Sequence, residues 1–545
     1  MIIFTGVGRR QSQTMSAKIS VLQTRGLDKM IIQAVLISLS LIFTLLFFLY
    51  GFNHYYLINA ARYYKSPSLP DQCLARPGVS IHLPVYNERY VIHRLVAACA
   101  DMAQAYGIEK VNILILDDSD DDTTLEVDKV VEKYLEKHHH IEVLRRGNRD
   151  GFKAGALQAA LNRTEEEFIA IFDADFIPSE DFLLHTIPYF VQDERLGIIQ
   201  SRWAHLNRDY NLLTKAIALG IDVHFLIEQT GRYAAECFQN FNGSGGVLRK
   251  KAILEAGGWQ ADTLAEDLDL SYRMQGRGYK ILYLKDLQSS AEVPLTVPSF
   301  KKQQGRWACG SLRTARKILP TLLQNRELQW KQRLQAFIHL TGYMLHPLML
   351  FSFILLCVLT LYGLNSSAIT HINFLFPSGF DWEAIKAAAA LAIQYLVWDI
   401  LILLIAICAV APWVSAILTL KTQNLSVLRN LFSLLILFLL GYGVSMSNTI
   451  EAGKALLTNR NWAFARTPKY ASMQHEGEWK TKKYQTPLDF VWALELALIV
   501  FGGITIGFAV RHSNFGILLF LAPYTAAYAF VFSLTIIQSR KEKAS

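Results

Sequence analysis

Charged residues are scarce in this chain. Asp, Glu, Lys and Arg make up 18% of its 545 residues, against about 25% in an average soluble domain. Hydrophobic residues reach 52% and mean hydropathy is +0.22, which excludes a wholly soluble chain and places much of it in lipid. Cysteine is sparse as well. The six, at 73, 99, 237, 309, 357 and 408, form no Cys-x-x-Cys pair, which argues against a disulfide framework or a zinc site and fits a reducing compartment. There is no internal repeat and no low-complexity segment. The first long apolar run, residues 31–51, lacks the cleavage site of a removed signal peptide and is long enough to span a bilayer. The net charge of +8 arises beside the apolar runs, so an anionic lipid surface explains it and nucleic acid is not implied.

What is present falls into three stretches: an N-terminal segment 1–65 with the 31–51 helix, a soluble region 66–330, and an apolar region 331–545. In the soluble region short apolar runs alternate with helical patterns: Val79–Leu83, Val111–Leu116, Ile141–Leu144, Phe168–Phe172 and Lys280–Leu284. This predicts an α/β domain with a mostly parallel sheet covered by helices. Ligands of such sheets bind beyond the carboxyl ends of the strands.

Later candidate spans are 337–362, 387–411, 427–448, 489–510 and 514–537. If all five cross with the soluble region in the cytosol, the loop 449–488, rich in Lys and Arg, lies outside. So does the tail with Arg540, Lys541 and Lys543. Both placements oppose the positive-inside rule. Laying 427–448 along the interface returns both to the cytosol, giving one span before the soluble region and four after it. The basic N-terminus (Arg9, Arg10, Lys18, Arg25, Lys29) then remains on the outer side.

The run Phe168–Phe172 ends in Asp173-Ala174-Asp175. Residues one apart on a strand share a face, so both carboxylates can serve one site. A hard divalent cation, Mg²⁺ or Mn²⁺, bridging them to a nucleotide diphosphate relieves their repulsion. A solvated strand end is the alternative. Val79–Leu83 leads into Pro84-Val85-Tyr86-Asn87-Glu88, and Val111–Leu116 into Asp117-Asp118, so other strands deliver polar groups to the same edge. Lys153 opens a helix after Gly151, suited to a phosphate or ribose. Gly243-Ser244-Gly245-Gly246 is a loop where backbone approaches something closely. Glu266 and Asp267 open a further helix as favourable N-terminal charges or, functionally, as a general base. In Gln303-x-x-Arg306-Trp307 the arginine can neutralise a diphosphate and the indole can stack on a sugar; an interfacial anchor is the alternative.

Taken in order, Pro84-Val85-Tyr86-Asn87-Glu88, Asp117-Asp118, Asp173-x-Asp175, Glu266-Asp267 and Gln303-x-x-Arg306-Trp307 resemble the processive family 2 glycosyltransferases of the cellulose synthase superfamily. The stretch Glu266–Gly310 is most similar to cellulose-synthase-like glucomannan and mannan synthases and their bacterial relatives. Phe464-Ala465-Arg466-Thr467-Pro468-Lys469 resembles the gating loop of that superfamily. The resemblance implies a GT-A nucleotide-diphospho-sugar transferase domain plus an α-helical transmembrane domain, in a multi-pass protein of a bacterial inner membrane with its catalytic domain cytosolic. It implies donor binding by Tyr86, Glu88, Asp117, Asp118, Lys153, Asp173 and Arg306. Asp173 and Asp175 would hold Mg²⁺ or Mn²⁺, and Asp267 with Glu266 would be catalytic. Gln303, Trp307 and Gly245 would meet the acceptor, and Phe464, Thr467 and Lys469 would close over the donor.

The expected activity is an inverting β-hexosyltransferase that polymerises a hexose from UDP-glucose or GDP-mannose into glucan, mannan or glucomannan and translocates it, with lipids around its spans. The alternative is a single transfer to a lipid such as ceramide or diacylglycerol. A transporter with a regulatory domain fits poorly, because few ionisable residues beyond Asp399 and Glu495 fall within the spans.

Overall fold

The computed structural model describes residues 35–36, 38–70, 76–361, 404, 407–458, 467–471 and 488–543. Helix α1 (Ser38–Ala61) precedes a mixed α/β unit. In chain order that unit comprises β1 (Val79–Val85), α2 (Ile92–Tyr106), β2 (Val111–Asp117), α3 (Thr123–Leu135), β3 (His140–Leu144), α4 (Phe152–Leu161), β4 (Phe168–Ile171) and α5 (Ile187–Gln192). It continues with β5 (Leu196–His205), α6 (Leu212–Val223), α7 (Thr230–Ala234), β6 (Gly246–Arg249), α8 (Lys250–Glu255), α9 (Glu266–Gly276) and β7 (Lys280–Ala291). Helices follow: α10 (Val297–Gln324), α11 (Trp330–Leu340), α12 (Leu345–Leu361), α13 (Ile407–Thr422), α14 (Leu431–Gly443), α15 (Ser445–Leu457), α16 (Val491–Arg511) and α17 (Leu518–Lys543).

The seven strands form one sheet in the order β3-β2-β1-β4-β6-β5-β7. All five sequence-predicted strands are in it. β6 runs antiparallel to both β4 and β5, while the other neighbours are parallel. β1, β2 and β4 are mostly apolar, with helices covering both faces of the sheet there. Ile81, Leu83, Ile113, Ile115, Phe168 and Ala170 pack on one side with Leu95, Val96 and Val127 of α2 and α3. Leu114, Leu116, Ile169 and Ile171 pack on the other with Leu157, Ile253 and Leu270 of α4, α8 and α9. Each large aliphatic so buried contributes about 1.5–3 kcal/mol. His82 points into this core, donating or accepting with Thr164 Oγ1 at 2.8 Å; burial drives its pKa down to about 3 and keeps it neutral.

Register sets the functional edge. Val85 pairs with Asp117 and His82 with Ile171, so the segments after β1, β2 and β4 leave the sheet together at their carboxyl ends.

Among the described residues four helical stretches are long and apolar enough to cross a membrane: Ser38–Ala61, Gly342–Leu361, Val491–Arg511 and Phe515–Ser539. The first runs well past the expected 51. Its polar residues find partners: Asn53 Oδ1 accepts from Gln335 Nε2 at 2.6 Å and Tyr55 donates to the Ile407 carbonyl at 2.8 Å. Most of the expected span 387–411 lies outside the described residues, and α13 is a shorter apolar helix. The segment expected at 427–448 is α14 and the start of α15. These pass as a span only together, and they are bent by 42° where they meet.

Helix α10 links the two parts. Thr296 caps it by accepting the Ser299 amide, Gln538 of α17 accepts the Val297 amide at 2.7 Å, and its Cys309 and Leu312 pack on Ala452 and Ala455 of α15. A Cβ on Gly310 would stand 2.7 Å from that of Ala265, so only glycine lets α10 pass this close to the start of α9.

Candidate active site

The carboxyl edge of the sheet opens into a cavity of about 200 Å³. At the β1–β2 end, Tyr86, Glu88 and Asp118 line it. The Asp118 amide extends the ladder by donating to Val85 O at 3.1 Å, and its carboxylate is gripped by Arg146 through Nε at 3.1 Å and through Nη2. Asp117 is turned away. Its Oδ2 takes Arg145 Nε at 2.9 Å and its Oδ1 takes the Ser119 amide at 3.0 Å, so it shapes the turn and does not line the cavity. The Arg149 guanidinium lies 3.3 Å from the centre of the Tyr86 ring, a stacked planar pair at the cavity wall.

Asp173 follows β4, with its amide on Ser244 Oγ at 2.8 Å and its side chain about one-third exposed. Lys153 Nζ bonds Asp173 Oδ1 at 2.6 Å and the Gly243 carbonyl at 2.9 Å, and sits 3.9 Å from Glu266 Oε1. Burial works to lower the Lys153 pKa, but Asp173, Glu266 and Asp267 raise it above the usual lysine value. Asp175 is buried and shares one oxygen, Oδ2, between Lys469 Nζ at 2.5 Å and the Glu292 amide at 3.1 Å. Glu292 also pairs with Arg94 at 2.5 Å and accepts the Tyr470 amide at 3.2 Å. Residues 467–471 are thereby tied to the sheet edge, and Thr467 and Lys469 line the cavity. Phe464 lies outside the described residues.

Glu266 and Asp267 form the first turn of α9 and face the same space. Burial, then the neighbouring Glu266 charge, pushes the Asp267 pKa up to about 7, against the pull of Lys153. Gly243 makes room for this carboxylate: its φ is +82° and a Cβ there would stand 2.7 Å from Asp267 Oδ2. From α10, Gln303, Arg306 and Trp307 reach the cavity, as the i, i+3, i+4 spacing of one helix face requires. Burial lowers the Arg306 pKa, opposed by Asp173, Glu266, Asp267 and Asp175. Gln303 Oε1 is buried with no partner among the described residues. A carboxyl group that ionises near neutrality beside fixed cations can take a proton while those cations meet a developing negative charge.

Of the residues expected to act, Tyr86, Glu88, Asp118, Lys153, Asp173, Asp175, Glu266, Asp267, Gln303, Arg306, Trp307, Thr467 and Lys469 converge here. Gly245 does not line the cavity. Its amide donates to Ile171 O and its carbonyl accepts from Ser201, which builds it into the sheet where β6 begins, and Gly243 takes the cavity position. Trp203, His205, Asn242 and Glu292 also line the cavity and were not anticipated. Period-two spacing of Trp203 and His205 on an unrecognised strand was the one signal available for them.

A model described as glycosyl transferase family 2 matches residues 80–238. Glucomannan 4-beta-mannosyltransferase 1 of Oryza sativa subsp. japonica is 36% identical over 281 residues, 50% of this chain and 54% of its own length. Glucomannan 4-beta-mannosyltransferase 2 of Arabidopsis thaliana is 38% identical over 261 residues, 47% of this chain and 48% of its own. The chain thus spans about half the length of the curated relatives it matches. A mannosyltransferase from Pyrobaculum calidifontis, solved in complex with GDP-Man and Mn2+, superposes with a TM-score of 0.46 at 20% identity, covering 69% of this chain and 98% of its own. The sheet is GT-A-like, and a second family model matches residues 168–444, more than half of the 545: the chain belongs to glycosyl transferase family group 2.

Proposed function

We propose that this chain is a membrane-embedded inverting β-glycosyltransferase that extends a polysaccharide from a nucleotide-diphospho-hexose and passes the product toward its membrane helices. The observation that carries the reading is Asp267: a half-buried carboxyl group with a pKa raised to about 7, in one cavity with Arg306 and Lys153. In a single displacement the acceptor hydroxyl attacks the anomeric carbon, Asp267 takes its proton, and the nucleoside diphosphate leaves with inversion. A base is most effective when its pKa lies near the working pH. Arg306 is placed to meet the leaving diphosphate, and Glu266 keeps the base from ionising too early.

Tyr86, Glu88 and Asp118 serve the nucleotide end, while Asp117 acts through the turn it holds. Gln303 and Trp307 serve the acceptor, and Thr467 and Lys469 close the cavity over the donor. The names of the plant relatives favour a mannosyl donor, GDP-mannose, over UDP-glucose. Residues 66–330 are then the cytosolic catalytic domain and 331–545 the membrane domain.

The residues present fit a divalent cation that arrives with its nucleotide. Asp173 and Asp175 are hard oxygen donors, the type Mg²⁺ or Mn²⁺ takes together with substrate phosphates, and here each pairs with a lysine, Lys153 and Lys469, that the incoming ion would displace. Such an ion supplies charge neutralisation for the departing diphosphate.

Membranes bearing the full chain, incubated with GDP-mannose, UDP-glucose and other donors, test the reading. Polymeric product from one donor is expected. Label confined to a chloroform-soluble glycolipid would replace polymerisation with single transfer to lipid.

A further inference from the structure

We propose that His205 binds the acceptor, its imidazole holding a hydroxyl of the last sugar of the growing chain, and that Asp222 is the positioning residue that sets its tautomer; this rests on the polymerising reading above. Trp203 and His205 leave the same face of β5, and both line the cavity. Sheet order separates them from the nucleotide end. β1 and β2 lie on one side of β4, and β5 and β7 on the other, so His205 stands across Asp173 from Tyr86 and Asp118. The lining around it turns apolar with Ile221 and Val293, which pack in one cluster with Leu440, Val444 and Val531 of the membrane helices. A chain passing from the cavity toward those helices would run by this wall.

The imidazole is held from behind. Nε2 lies 3.0 Å from Asp222 Oδ1, and Arg208 Nη1 lies 3.3 Å from Asp222 Oδ2 while donating to Gln423 Oε1 at 2.7 Å, just past α13. Burial raises the Asp222 pKa, but His205, Gln423 and Arg208 together hold it below the usual range. An ionised carboxylate only accepts, so Nε2 carries a proton toward Asp222, and in the neutral imidazole Nδ1 is the nitrogen that keeps a lone pair. Among the described residues the His205 imidazole makes one hydrogen bond, to Asp222. Nδ1 is the ring nitrogen that Asp222 does not hold, and a cavity ligand with a hydroxyl donor can meet it. A sugar hydroxyl is such a donor, and Gln303 and Trp307 share the cavity with it.

The test uses the full chain in detergent, the donor that the wild type consumes, and short β-linked oligosaccharide acceptors. Two quantities are read: acceptor KM, and the partition of released nucleoside diphosphate between chain extension and transfer to water. Loss of one hydrogen bond in a buried setting predicts a rise of about ten-fold in acceptor KM for His205→Leu, with partition shifted toward water. His205→Gln, whose amide oxygen can accept, restores part of the loss. Asp222→Asn lets an amide donate to Nε2 and moves the proton to Nδ1, so acceptor KM rises again. The double variant is no worse than His205→Leu, because Asp222 acts through the histidine.

A His205→Leu enzyme within about two-fold of wild type in both quantities overturns the assignment. Additive losses in the double variant overturn the role of Asp222. A wild type that extends no acceptor overturns the polymerising reading and this assignment with it.

Discussion

Asp267→Asn removes the proton acceptor while keeping its shape. In an unfolded chain this carboxyl ionises near 3.8, and in the folded protein near 7. Between those values the folded state binds more protons than the unfolded one, so stability falls as pH rises through the window and levels off above 7. The whole shift corresponds to roughly 4 kcal/mol of strain carried by the ionised base. Asparagine cannot ionise, so the variant is expected to gain stability over wild type at pH 8 and to lose that advantage at pH 4. Its transfer rate is expected to fall by about 10²- to 10⁴-fold, the usual contribution of a positioned base, with donor affinity retained. Wild-type kcat/KM for chain extension should fall about ten-fold per pH unit below 7. Initial rates from pH 5 to 9, donor binding by equilibrium titration and melting curves at both pH values cover all three quantities. A rate that stays flat down to pH 5, or an asparagine variant that loses donor affinity as much as rate, would refute the reasoning.

Three further outcomes follow from the same geometry. Lys153→Met removes the cation that opposes the raised Asp267 pKa, so the acid limb of the rate profile should move up by roughly one unit; a limb that stays or moves down contradicts it. Gly243→Ala sets a methyl 2.7 Å from Asp267 Oδ2 at a φ of +82°, and is expected to cut extension by ten-fold or more while costing about 1–2 kcal/mol in a denaturant melt; activity within two-fold of wild type would count against the placement of the loop. Chelation of divalent ions should weaken donor binding by about ten-fold or more, with Mn²⁺ or Mg²⁺ restoring it in wild type and little restoration in Asp173→Ala; donor binding indifferent to chelation would remove the metal from the account.

The sequence was most legible where a residue's place follows from a strand end. Asp118, Asp173 and Asp175 could be placed because buried apolar runs stop just before them, and the parallel register of β1, β2 and β4 brings them to one edge. Gln303, Arg306 and Trp307 were readable as one helix face. Less accessible was everything set by long-range packing. Gly243–Gly246 looks like a loop, yet its last residue starts β6, because Ile171 and Gln200 offer it partners on both sides. β5 carries Gln200, Ser201 and Arg202 in its middle, which hides its alternation, and Trp203 and His205 were hidden with it. Asp117 and Asp118 are adjacent and alike in sequence; only Arg145 and Arg146 beyond β3 decide that one holds a turn and the other faces the cavity. Lys153 suggested a phosphate site, but the cluster of Asp173, Glu266 and Asp267 around it comes from two separate elements, the end of β4 and the start of α9.

The most direct test of the account is the anomeric configuration of the product. The full chain, supplied with an α-linked GDP-mannose or UDP-glucose and an oligosaccharide acceptor, should form a β-linkage, read from proton NMR of the extended acceptor and from its cleavage by a β-specific endohydrolase. An α-linked product would mean retention, by two displacements or by attack on the face the diphosphate leaves, and would contradict the single displacement in which Asp267 serves as base.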